Sequence, residues 1–217
     1  AKMATYPGRE KSLPIAVNSI LHQVDRLEVY CNEYDSIPSC LNSPKIVTFQ
    51  GENLGDTGKI FRIPENDLIF LVDDDIVYPQ YYVHYVTSQL EKLPAGTIVG
   101  FHGAILKPPI RNYFKDREVI HFRHTAPSNR KVHVLGTGVC AFDSKHFIMY
   151  FYYIQFHNML DIHMAVKAQR ERRSMVCLRK KANWLKSIPV KDSLFERRGS
   201  GKPQTAELNT VNQWNLY

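Results

Sequence analysis

Leu68-Ile69-Phe70-Leu71-Val72-Asp73-Asp74-Asp75-Ile76-Val77-Tyr78-Pro79 is the stretch on which the reading of the chain turns. Five apolar residues end abruptly in three carboxylates, just after the turn-like Pro64-Glu65-Asn66-Asp67. A short, bulky apolar run without alternation predicts a buried strand of a parallel sheet. Open α/β sheets bind ligands at the carboxyl ends of such strands, which is where these aspartates would stand. Crowded carboxylates repel one another unless a cation neutralises them. Hard oxygen donors suit Mg²⁺ or Mn²⁺, ions that in turn hold diphosphate oxygens. The plainer alternative is an acidic turn capping a helix that begins near Pro79. A cap needs one aspartate, not three.

Outward from this strand, the first half of the chain alternates strand and helix signals. Lys2 to Thr5, Leu27 to Cys31, Ile46 to Phe49 and Thr97 to Phe101 read as further strands. Leu13, Val17, Ile20 and Leu21 fall at helical spacing, with Pro14 tolerated in the first turn, and Tyr81 to Leu90 reads as a second helix. This β-α-β rhythm predicts a single α/β domain, Rossmann-like, with a mixed and mostly parallel central sheet. The second half is less regular. Residues 107–130 are polar and proline-punctuated, the profile of a mobile functional loop. Val132 to Leu135, Val139 to Phe142 and Met175 to Leu178 read as strands, and Asp161 opens a helix to about Arg172. From Ser193 the sequence reads as a flexible polar tail. The expected division is a nucleotide-binding half at 1–103, an acceptor half at 104–192 and the tail at 193–217.

At 217 residues the chain suffices for one well-buried domain. Its 44% hydrophobic and 23% charged residues are ordinary globular values, so disorder is not the default. Lys and Arg outnumber Asp and Glu by 28 to 21. Such a balance favours an anionic partner: nucleic acid, a phosphorylated small molecule, an acidic polysaccharide or a membrane surface. The four cysteines show no Cys-x-x-Cys spacing, which fits reduced thiols in a cytoplasmic protein and argues against a zinc site. No window approaches the ~18 apolar residues of a membrane span. The aromatic stretch Phe147 to Phe156 is read as core, with stacking on acceptor sugars as the alternative.

Two enzyme chemistries compete for the aspartates. In one, Asp75 ligates a divalent cation bridging the phosphates of a sugar nucleotide, while Asp73 and Asp74 hold the ribose, the base or a metal-bound water. In the other, Asp73-x-Asp75 serves a haloacid-dehalogenase-like phosphatase, with Asp73 as nucleophile and Asp75 as acid/base. That fold needs the strand first in the domain and a second acidic cluster downstream; here the strand is fourth and no later paired carboxylates follow. A P-loop fails as well, because Asn53 replaces its first glycine and Ile60 its Ser or Thr. Lys59 is left as a point charge for phosphate or a solvated loop lysine. A basic nucleic-acid-binding module is the alternative from another class, and it leaves the aspartates without a reason.

Several blocks carry a family resemblance: Met3-Ala4-Thr5-Tyr6-Pro7-x-Arg9, His22-Gln23-Val24-Asp25, Cys31-Asn32-Glu33-Tyr34 and Asp56-x-Gly58-Lys59. To these add the aspartate strand with Tyr78-Pro79, Val99-Gly100-x-His102-Gly103, Leu135-Gly136-Thr137-Gly138 and Asn183-Trp184-Leu185. In this order they resemble GT-A glycosyltransferases, most of all the bacterial heparosan-capsule α-N-acetylglucosaminyltransferase family, over most of residues 3–188. The resemblance implies a UDP-sugar-dependent hexosyltransferase of polysaccharide synthesis, using Mn²⁺ or Mg²⁺ and transferring to a glycan acceptor, with retention. No nucleic acid is then expected, and any membrane association would be peripheral, through a partner. It further implies that Tyr6, Pro7, Arg9, Asn32, Glu33, Lys59, Asp73 and Asp74 border the nucleotide sugar, and that Asp75 and Asp73 hold the metal. His102, Gly103, Gly136, Thr137, Gly138 and Trp184 would line the sugar and acceptor side. Asp161 stands where such enzymes place an acidic residue near the reacting sugar, and is the implied catalytic residue. By its residue type alone it also reads as a helix cap. Arg111, Lys115, Arg117, Arg123, Arg130 and Lys131 would give the acceptor side a positive field, suited to an anionic glycan. His121, His124 and His163 are read as surface or core histidines.

Overall fold

A computed structural model of the chain describes residues 1–154, 158–190 and 199–217. Its elements, in chain order, begin with β1 (Lys2–Thr5), α1 (Leu13–Leu21), β2 (Leu27–Asn32), β3 (Ile46–Gly51), β4 (Leu68–Asp73) and β5 (Ile76–Val77). Then come α2 (Tyr82–Leu90), β6 (Ile98–Gly100), β7 (Gly103–Leu106), β8 (Arg117–Ile120), β9 (Arg130–Lys131), β10 (Val134–Leu135) and β11 (Val139–Asp143). The last are α3 (Leu160–Arg170), β12 (Met175–Cys177), β13 (Lys186–Ser187) and α4 (Lys202–Leu208).

An eight-stranded mixed sheet in the order β3-β2-β1-β4-β11-β6-β12-β9 forms the centre. β3, β2, β1 and β4 are mutually parallel, as their βαβ spacing dictates. β11 then inserts antiparallel between β4 and β6, with Val139 opposite Val72. Each face of this sheet is covered. On one side α1 buries Leu13, Ala16, Val17 and Ile20, the apolar stripe read from the sequence, and α2 adds Tyr82 and Val86. On the other, Leu160, Met164 and Ala168 of α3 pack with Phe142 and Phe147. β2 is buried along its whole length, and its Glu28 is tolerated there because Lys2 pairs with it at 2.5 Å.

The regular first half matches its sequence signals; the second half departs from them in three places. The expected loop at 107–130 contains β8, which pairs antiparallel with β7 to form a three-stranded sheet with β10. Its charged residues hid it: β8 is the edge strand of this small sheet, and Glu118 and Val119, which point to opposite faces, are both exposed. The strand expected over Val132 to Leu135 is the shorter β10, and a separate short strand, β9, precedes it at Arg130–Lys131. β9 joins β12 in the large sheet, and β10 joins β7 in the small one. In the expected tail, Lys202–Leu208 is helical and Leu208 is fully buried against Ile162 and Ala165 of α3. Lys191 to Arg198, and Gln155 and Phe156 of the aromatic stretch, lie outside the described residues. Of the rest of that stretch, Phe147 and Met149 are core, while the rings of Tyr150 and Tyr152 lie exposed at the surface.

Candidate functional site

β1 is flanked by β2 on one side and β4 on the other, so chain direction through the sheet reverses there and opens a crevice at the carboxyl ends. A cavity of about 770 Å³ occupies this place. Tyr6 and Arg9 enter it from the segment after β1, Asn32 from the end of β2, and Asp73, Asp74 and Asp75 from the end of β4. The sequence-predicted strand-end carboxylates therefore do converge with residues some 70 positions away.

The three aspartates differ in what holds them. Asp73 ends β4; Lys59 donates to its Oδ1 and to the carbonyl of Thr137 at 3.3 Å. Lys59 is buried at the cavity wall rather than solvated, and it fastens Asp73 to the Gly136-Thr137-Gly138 turn. Gly138 leaves room for Asp73: a Cβ there would overlap the Asp73 carboxylate and force it aside. Tyr78, 2% exposed, accepts the Asp73 N–H at 2.7 Å and donates to the Gly138 carbonyl at 2.6 Å, closing the same unit from below. Asp74 is buried, with the Arg9 guanidinium 3.5 Å from it. Burial raises its carboxyl to about 6, against the pull of Arg9 and a hydrogen bond from Thr5. Asp75 is the most loosely held, 26% exposed with Arg9 3.9 Å away. Burial, and then the charges of Asp73 and Asp74, lift it to about 7.

Arg9 is the second notable group. Its side chain is only 3% exposed and lies 4.6 Å over the Tyr6 ring. Its Nε and Nη1 are buried without a hydrogen-bond partner among the described residues. A buried guanidinium with unused donors at a cavity wall is fitted to an anion. Asn32 is committed to the frame: it donates to the carbonyls of Thr5 at 3.0 Å and Gly55 at 3.3 Å, and accepts the Leu54 N–H at 2.7 Å.

Other expected residues stand elsewhere. Pro7 and Glu33 are exposed and outside the cavity wall; Glu33 accepts from Asn53 Nδ2 at 3.0 Å. Thr137 is buried in the turn behind Asp73. His102 backs Gly136, and burial, with His121 beside it, lowers its imidazole to about 3. Gly103 lies in β7, its hydrogen facing Val132. Trp184 packs in an aromatic cluster with Phe101, Tyr85 and Tyr82, at 5.0, 5.3 and 6.0 Å. Asp161 lies in the first turn of α3, half-buried, outside the cavity wall. It does not cap its helix from the N-cap position, which Met159 holds; Asp56 Oδ2 instead accepts the Leu160 N–H at 3.1 Å. Burial, and next the Asp56 charge, raise the Asp161 carboxyl to about 6.

Two walls of the cavity are not legible as walls in the sequence, although Arg123 in the first is among the residues expected on the acceptor side. One is His121-Phe122-Arg123, tied down where Lys180 donates to the His121 carbonyl at 3.0 Å and Asn183 N–H to the Arg123 carbonyl at 2.8 Å. The other is Ser187 to Val190, carried in by the β13–β5 pair and by the Ile188 N–H on the Asp75 carbonyl at 2.7 Å. The Asn183-Trp184-Leu185 block was the available signal for the first; nothing in the sequence marks the second.

Among the described residues no group of three or more His, Cys, Asp or Glu side chains is placed to hold a metal ion unaided. Asp75 and Asp73 are the residues that would hold a cation completing its shell from a ligand, as Mg²⁺ does with phosphates, and Asp73 is already paired with Lys59. Fold and crevice together define a mixed α/β protein with a charged, ligand-sized cleft at the carboxyl ends of its parallel strands. No protein-family model matches the chain, and no curated protein does either.

Proposed function

We propose that the chain is a metal-dependent glycosyltransferase of the GT-A kind, moving a sugar, N-acetylglucosamine by the family resemblance, from a UDP-sugar to a glycan acceptor. The observation that carries the reading is the pairing of opposites in one cleft: clustered strand-end carboxylates beside the buried, under-used Arg9 guanidinium. A diphosphate with its cation satisfies both at once. The ion would be held by Asp75 and Asp73, and when bound it offsets charge on the departing nucleoside diphosphate. Arg9 donates to the phosphates from the floor, and Tyr6 borders the nucleoside. Asn32 keeps the ends of β1 and β2 and the 54–55 backbone in fixed relation, so the site needs little reorganisation on binding. The wall from His121 to Arg123 faces the sugar and acceptor, where Arg123 adds positive charge for an anionic glycan. Retention follows from the resemblance.

Calorimetry with UDP, with and without Mn²⁺, tests the reading. Mn²⁺ should tighten UDP binding, and Asp75→Ala should remove both that gain and turnover. Equal affinity with and without metal, or an active Asp75→Ala variant, sinks it. NMR of the anomeric product decides the stereochemistry: a β-linkage from an α-linked donor overturns retention.

A further inference from the structure

His121 stands in the cleft wall with one polar atom to spare. The Arg123 N–H donates to its Nδ1 at 3.2 Å, so in the neutral ring Nδ1 is the acceptor and Nε2 carries the proton. Burial, then the charges of Arg123, His124 and Lys180, lower the imidazole to about 4, which keeps it neutral at neutral pH. Nε2 has no hydrogen-bond partner among the described residues, and unlike His102 Nδ1 it is not sealed in the interior. The ring that carries it is well fixed. It stacks on Phe122 with centroids 4.8 Å apart and planes at 25°, meets the His102 ring edge-on at 5.0 Å, and leans on His124 at 5.3 Å. The backbone is held by buried Lys180, whose ammonium donates to the His121 carbonyl at 3.0 Å and to the His124 carbonyl. An N–H on so fixed a ring, with no acceptor from the described residues, is preorganised for a ligand oxygen.

Its place across the sheet decides which part of a ligand it meets. Along the cleft the strands run in the order β2, β1, β4, β11, β6, β12. Asn32 and Tyr6 leave β2 and β1 on one side of the aspartates that end β4. On the other side His102 follows β6 and Lys180 follows β12, and these two hold His121. The carboxylates therefore lie between a Tyr6–Asn32 end and a His121 end of one cleft. A nucleoside diphosphate with its phosphates at Arg9 and the Asp75 cation, and its nucleoside toward Tyr6, extends the group it carries toward His121. We infer that His121 is a specificity-determining residue: its Nε2–H donates to an oxygen of the sugar on the diphosphate and makes no contact with the nucleotide itself. The inference rests on the proposed function, since it takes the ligand to be a UDP-sugar. It gives a binding role to a histidine whose sequence context suggests only surface or core.

Two substitutions in the full chain separate the two ring nitrogens. His121→Asn sets an amide oxygen where Nδ1 stood, so it keeps the bond from the Arg123 N–H and loses the donor in the cleft. His121→Gln keeps a donor at the reach of Nε2 and loses the acceptor at Nδ1. Titration calorimetry with Mn²⁺ measures UDP and UDP-N-acetylglucosamine on each. His121→Asn should bind the sugar nucleotide about 3- to 10-fold more weakly, the scale of one net hydrogen bond, and UDP within about twofold of the parent. His121→Gln should bind both within about twofold of the parent. The imidazole ¹⁵N spectrum of the parent, assigned with His121→Asn, should show the proton on Nε2 at neutral pH. That nitrogen should move on addition of UDP-N-acetylglucosamine and stay in place with UDP. A merely structural histidine would reverse the pair, impairing His121→Gln and sparing His121→Asn. That reversal, equal losses for the two nucleotides in His121→Asn, or an Nε2 signal indifferent to the sugar overturns the inference and leaves the functional reading standing. A parent chain that binds neither nucleotide refutes the functional reading and the inference with it.

Discussion

Tyr78 and Tyr82 are one helical turn apart in sequence, both fully enclosed, their rings 5.0 Å apart, yet the same substitution should treat them oppositely. The Tyr78 hydroxyl accepts from the Asp73 N–H and donates to the Gly138 carbonyl, so Tyr78→Phe strands two groups where water has no room. Each orphaned buried group costs about 1–3 kcal/mol, giving about 2–6 kcal/mol in total. For a domain of this size that lowers the melting temperature by about 5–15 °C. The Tyr82 hydroxyl is buried with no hydrogen-bond partner among the described residues, so Tyr82→Phe removes an unsatisfied group and should leave the melting temperature unchanged or higher. The functional difference is sharper than the thermal one. Tyr78 holds the backbone of Asp73 against the turn that shapes its carboxylate, so Mn²⁺-dependent UDP binding at 25 °C should weaken about tenfold or more in Tyr78→Phe. In Tyr82→Phe it should not change. Differential scanning calorimetry and titration calorimetry on the two variants provide the comparison. Equal melting temperatures for the pair, or a Tyr78→Phe variant with full metal-dependent affinity, would refute the reasoning.

Three further outcomes are expected. Asp75 binds its proton more tightly folded than unfolded, with a folded value of about 7. Its contribution to stability is thus full below its unfolded value of about 4 and lost as pH rises through about 7. Without metal, Asp75→Asn should gain melting temperature relative to the parent chain across that window; a pH-independent difference defeats the assignment. Gly138→Ala forces the Asp73 carboxylate away and should abolish the Mn²⁺ effect on UDP affinity, whereas Gly136→Ala meets only the His102 ring at 3.1 Å and should retain most of it. Asn32→Ala loses three hydrogen bonds and strands the buried Leu54 N–H. It should cost about 2–4 kcal/mol by chemical denaturation and weaken UDP with it; a loss under about 1 kcal/mol would mean the frame does not depend on Asn32.

The sequence by itself determined the elements whose signals are local. The apolar run at Leu68, the helical stripe from Leu13 to Leu21 and the alternation of strand and helix through residue 101 sufficed for a parallel, Rossmann-like half-sheet. They also located its carboxylates at a strand end. Tyr6, Arg9, Asn32 and Lys59, which the family resemblance implied, do line the cleft with those carboxylates, whereas Pro7 and Glu33, implied in the same way, do not. The tertiary structure alone decided the rest. Lys59 proved a clasp for Asp73, Trp184 a member of an aromatic cluster, and Asp161 a residue behind the cleft wall. β8 and α4 were missed because their few apolar residues are meaningful only against partners such as Gly103–Leu106 and Ile162. The reason is physical: a strand or helix signal is a periodicity over neighbouring residues, while a site wall is set by pairings such as Val139 with Val72 and Ser187 with Ile76. Those pairings join residues 67 and 111 positions apart, and packing rather than local propensity selects them.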